Sequence, residues 1–146
     1  SWSDWQPLAL DWLETEVGRR ELTRGAEMLA AEFGTAPLFV LKDPRICRLL
    51  PYWTRLFARE EITPSYIHTH RSPVEVARSL ERREGWPLAA GLLLWLRHEL
   101  EAEAGSRGAA RAFSRQQTAP MCSSSMTWAA SSCPILIAPF APSMPR

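Results

Sequence analysis

The sequence predicts an α/β domain, part of a P-loop-like three-layer fold in which a short parallel sheet is flanked by helices. Two short β-like runs, "APLFVL" at 36–41 and "PSYIHTH" at 64–70, alternate with segments of helical period. Strand, helix, strand, helix with short connections describes βαβ units, whose strands pair in parallel. A length of 146 residues with 46% apolar content suits one modest core.

Residues 4–33 carry helix-forming composition, with Leu10, Leu13, Val17, Leu22, Leu29 and Phe33 recurring at roughly helical spacing. Gly18 and Gly25 read as weak points in that helix and Gly34 as its C-cap. The run at 36–41 reads as a strand buried on both faces, as in parallel sheets. Beyond "KDPR", Ile46, Leu49, Leu50, Trp53, Leu56 and Phe57 make one apolar helix face, leaving Arg48, Arg55 and Arg59 for water. After the second strand come helices over about 73–84 and 88–104. Trp53, Trp86 and Trp95 fit the core or its edge better than a platform for bases.

Composition changes near residue 115. From Gln116 to Pro145 there is no charged residue and no sustained period of 2 or 3.6, and the segment holds five of the twelve prolines. The division this suggests is a partial α/β domain at 1–115 and a low-complexity tail at 116–146, either disordered or frame-shifted after "ARAF". The chain opens without Met in what reads as the approach to a helix, which suggests absent upstream sequence.

The net charge of +1 gives no reason to expect nucleic acid or an anionic membrane as partner. Cys47, Cys122 and Cys133 have no metal-ligand spacing. The uncharged run at 85–96 is shorter than the roughly 20 residues a membrane span needs. A reducing cytoplasm is the expected compartment.

The chemistry concentrates in "HRSPVEVARSL", 70–80. Pro73 suits the first turn of a helix, with Ser72 at the N-cap and Glu75 three residues on, a capping-box pattern. Such a start attracts anions, and Arg71 before it offers a planar fork to a phosphate. Ser79 lies two turns along the same side as Ser72, within reach of a phosphate held by Arg71. On these residues alone, a capped corner with Arg71 paired to a carboxylate stands beside the phosphate site.

Arg71 followed eight residues later by Ser79 at a helix start resembles the 3′-phosphate motif of sulfotransferases that use 3′-phosphoadenosine 5′-phosphosulfate (PAPS). "LKDPRICRLLPYW" upstream and "LLLWLRHELEAE" downstream are similar to segments of the bacterial branch. The resemblance covers roughly 36–113. It implies PAPS as co-substrate, no metal, and a small-molecule or carbohydrate acceptor with a hydroxyl or amine. It assigns Arg71 and Ser79 to the cofactor and Lys42, at the strand end, to catalysis. Asp43 is then the candidate base, since the family's usual base positions hold Pro44 and Leu41. The competing reading of 43–45 is an Asp-Pro turn. Residues 1–41 contain no Gly/Ser-rich phosphosulfate loop, so the expectation is an internal fragment, truncated at the N-terminus and inactive alone.

His68 and His70 share a strand face but lack a third ligand for a metal, and His98 reads as a surface helix residue. Alternating charges around Arg78 and Arg82 read as a solvated face. The alternative function is a non-catalytic helical interaction module docking through the Ile46–Phe57 face, which would then stand open. A nucleotide-kinase relative lacks its G-x-x-x-x-G-K-[ST] motif here.

Overall fold

The computed structural model describes residue 6 and residues 8–34, 36–43, 45–115 and 134–139. A short 3-10 helix, Asp11–Glu14, precedes α1, Glu16–Phe33. Thr15 separates them because its hydroxyl serves both ends. It donates to the Trp12 carbonyl at 2.6 Å and accepts the Gly18 amide at 3.4 Å. The long helix expected from residue 4 therefore starts at 16, and Val17 turns to solvent.

Gly18 and Gly25 are points of close approach. A Cβ on Gly25 would collide with the Tyr52 hydroxyl and with Leu56, and that hydroxyl donates to the Glu21 carbonyl at 3.1 Å. Gly34 is the C-cap of α1, as expected, in a right-handed conformation with its amide donating to the Ala30 carbonyl at 3.0 Å.

The strands are β1 (Leu38–Leu41), β2 (Ser65–His70), β3 (Ala110–Arg115) and β4 (Pro134–Pro139). Between and after them lie α2 (Leu50–Arg59), α3 (Pro73–Glu84) and α4 (Leu88–Gly105). The sheet order is β1-β4-β2-β3. β3 lies parallel to β2, whereas β4 pairs antiparallel with both β1 and β2. The fold is thus mixed α/β, which corrects the all-parallel expectation: β1 and β2 run the same way but do not touch. The wedge between them comes from the segment assigned to the tail. Of 116–146 only 134–139 is described, and there the sequence supplies a central strand, with Leu136 and Ala138 fully buried. Ile135, Leu136 and Ile137 are the β-prone residues that make this possible.

One sheet face carries Phe39, Tyr66, Leu136 and Ala138 and packs against Leu22 and Leu29 of α1, Leu50, Leu56 and Phe57 of α2, and Ala102 of α4. Phe39 stacks on Phe33 and meets Phe57. The predicted apolar face of α2 is therefore packed: Ile46, Leu50, Leu56 and Phe57 are buried. Arg48, expected in water, is buried too, with its Nε 3.4 Å from Glu101 Oε2 on α4. Glu101 also pairs with Arg97 at 2.7 Å.

The other sheet face is open. Leu38 and Val40 are 55% and 51% exposed, so the strand expected to be buried on both sides buries only Phe39 fully. α3 does not cover that face. It packs on α4, where Val76 and Leu80 meet Leu94, with Trp86 and Trp95 at the edge.

Gly91 sets that helix contact, since a Cβ there would lie 2.8 Å from the Ala77 Cα. In an open helix interior, Gly→Ala stabilises by up to about 1 kcal/mol. Here the sign reverses, because the neighbouring atom is backbone and cannot swing aside. Gly91→Ala is expected to lower the urea midpoint of unfolding, at a net cost of about 1–2 kcal/mol. An unchanged or raised midpoint would contradict this packing.

Candidate functional site

β1, β2 and β3 point their C-terminal ends to one edge of the sheet, where open α/β sheets place their sites. Lys42 and Arg71 are both at that edge, but the register keeps them apart. Leu41 and Tyr66 both pair with Leu136, so Lys42 is level with Ile67 and Arg71 lies four residues farther on. That is about 13 Å along the strands, with β4 adding about 10 Å sideways.

Arg71 follows the last residue of β2, and α3 begins two residues later. Its Nε lies 3.3 Å from Glu75 Oε2, an i,i+4 ion pair. Glu75 and Ser79 are again one turn apart, so Arg71, Glu75 and Ser79 form a row down one side of α3. Ser79, one turn beyond Glu75, is half-buried.

Ser72 occupies the N-cap, but its side chain makes no capping bond. The capping box fails because Glu75 turns to the charged Arg71 rather than to the Ser72 amide, charge-assisted bonds being the stronger. The competing reading of the corner, with Arg71 paired to a carboxylate, is the one the side chains adopt, and the i,i+4 spacing identifies that carboxylate as Glu75.

At the other candidate position, Asp43 and Arg45 close on each other. Arg45 Nε is 2.9 Å from Asp43 Oδ1 and its Nη2 is 2.8 Å from Oδ2, while the Arg45 amide donates to Oδ1 at 2.7 Å. The side-chain hydrogen bond from Arg45 lowers the Asp43 pKa below its ordinary 3.8 despite partial burial. Such a carboxylate is a weak proton acceptor, and its bond to the amide two residues on is the Asx-turn type of contact; Pro44 lies outside the described residues. Lys42 is exposed beside it.

His68 and His70 do share a sheet face, but each has a different partner. His68 is buried, with Nε2 2.9 Å from Ser106 Oγ. Ser106 donates to the Ala102 carbonyl at 2.9 Å, so its oxygen accepts the His68 Nε2–H. His70 Nδ1 lies 3.0 Å from Glu99 Oε2. Both rings stack on Phe113 of β3. Among the described residues, no group of three or more His, Cys, Asp or Glu is placed to hold a metal. His98, expected at the surface, is buried on the α4 face that also carries Gly91, Leu94 and Ala102. No described helix is long and apolar enough to cross a membrane.

No protein-family model matches the chain, and neither a curated protein nor a solved structure matches it.

Desolvation lowers the His68 pKa below its ordinary 6.5, with His70 and Arg111 adding to the effect and Glu103 opposing it. The folded protein therefore holds His68 neutral, while the unfolded chain takes up a proton below about pH 6.5. Stability from this group is complete above that value and is lost as pH falls below it. Denaturant midpoints should decline from pH 7.5 to about pH 5, and His68→Gln should flatten the decline. An equal slope in the variant would rule out His68 as its source.

Proposed function

We propose that the Arg71–Glu75–Ser79 row on α3 is the 3′-phosphate half of a PAPS site in a sulfotransferase-like domain. The supporting observation is the Arg71–Glu75 pair, which holds the guanidinium at the first turn of α3, on the side that Ser79 occupies one turn beyond Glu75. A phosphate there meets a bidentate cation, a hydroxyl and the positive end of a twelve-residue helix whose N-cap side chain leaves the first-turn amides uncapped. It takes Arg71 from Glu75 on binding, exchanging one carboxylate for a more highly charged anion.

In sulfuryl transfer, the sulfur–oxygen bond to the 5′-phosphate breaks as the acceptor hydroxyl or amine bonds to sulfur and gives up its proton. Charge gathers on the leaving phosphate, and Lys42 is the cation at the sheet edge suited to meet it. Asp43, engaged by Arg45, belongs to the turn, and the acceptor's base is not assigned. The acceptor class is a small molecule or carbohydrate. Among the described residues no glycine-rich loop follows a strand, so this polypeptide is proposed to bind the 3′-phosphate end without transferring sulfate alone. An interaction module docking through Ile46–Phe57 is disfavoured, because that face is packed on the core.

Calorimetry with 3′-phosphoadenosine 5′-phosphate tests this reading. Arg71→Ala should weaken binding at least about tenfold, the loss of one charged hydrogen-bonded partner. Glu75→Gln should strengthen it by removing the competing carboxylate. If the wild-type chain binds adenosine 5′-phosphate equally well, the 3′-phosphate site is absent. Turnover of PAPS by the 146-residue chain would overturn the half-site proposal.

A further inference from the structure

We propose that this chain associates head to tail with itself, the outer ridge of α4 in one copy lying on the open sheet face of the next. Alternation along the strands puts Leu38 and Val40, Ile135 and Ile137, and Ile67 on that face, with Ala110 and Ala112 at its edge. Its polar positions are Ser65, Thr69 and Ser114, so it presents no charge. Parallel strands such as β2 and β3 are ordinarily covered on both faces, and here the helices cover one.

The missing layer has a counterpart in the same chain. The first half of α4, "LAAGLLLWL", is apolar all round, and burying Gly91 and Leu94 leaves another side in water. Leu93, Leu96 and Leu100 are 57%, 46% and 60% exposed, and Ala89 extends their row by one turn. The spacing of four, three and four makes a straight ridge about 17 Å long. The strands of the open face run about 13 to 20 Å, so ridge and face match in length.

Burial of both apolar patches favours this pairing over two copies joined by like faces. The sheet face covers roughly 300 Å², against about 800 Å² per partner in a standard interface. Sheet on sheet would leave both leucine ridges in water, whereas a copy within a row buries both of its patches. Neither patch carries a charge that association would desolvate. The two patches lie on different sides of the molecule, so the contact is heterologous and does not close on itself. Association is weak and grows with concentration.

Sedimentation velocity on the full chain over a wide concentration range tests this, with Leu96→Glu spoiling the ridge and Val40→Lys spoiling the face. The wild type should show a weight-average mass that rises with concentration, and each variant alone should remain monomeric. An equimolar mixture of the two should form a one-to-one dimer and grow no further, since each keeps the patch that the other lacks. Circular dichroism confirms the fold of each variant, and Leu100→Glu and Leu38→Lys replace either one that unfolds. A monomeric wild type at every concentration, self-association of either variant alone, or a mixture that stays monomeric overturns the proposal.

Discussion

Insertion of β4 between β1 and β2 is the contact on which the rest of this structure depends. Leu136 pairs with Leu41 on one side and Tyr66 on the other, and its side chain lies in the middle of the core. Alternation then follows along all four strands. Phe39, Leu136, Ala138 and Tyr66 face the helices, while Val40, Ile137 and Ile67 face away. A one-residue slip of β4 would move Leu136 out of the core and bring Ile135 and Ile137 in.

The same insertion limits the chemistry at the sheet edge. In adjacent parallel strands, Lys42 and Arg71 would be separated by one strand spacing and their offset. With β4 between them they belong to distinct ends of that edge. The region around Arg71 is a strand-to-helix corner held by the Arg71–Glu75 pair. The region around Lys42 is a turn closed by Asp43 and Arg45.

Polar groups inside the helix-covered layer are matched in part: among the described residues His98 Nε2 is buried without a hydrogen-bond partner, whereas others find one. His68 reaches Ser106, whose hydroxyl reaches the Ala102 carbonyl, so three buried groups complete one another across β2 and the end of α4. Arg48 and Glu101 approach each other across the loop before α2 and the second half of α4. Burying such groups is costly unless they are paired, so these contacts fix how α4 sits on the sheet. Among the described residues no second helical layer covers the other face, which carries aliphatic side chains.

By itself the sequence determined α2 and α3 through a local helical period, α4 through its length of helix-forming residues, and β1 and β2 as short β-prone runs beside turn signals. It also determined that Arg71 stands at a strand end before a Pro-started helix. Only the tertiary structure decided the rest. Pro134–Pro139 has no charge and no sustained pattern around it, and becomes a strand because two edges await it. Arg48 lies off the apolar stripe of its segment and is buried by the approach of α4, whereas His98 lies on the Gly91–Leu94–Ala102 stripe and is buried despite its polar side chain. Ser72 and Glu75 spell a capping box, but the carboxylate prefers a neighbouring cation over a backbone amide. Local pattern fixes which elements form, whereas pairing between distant segments fixes which faces are covered and which charges meet.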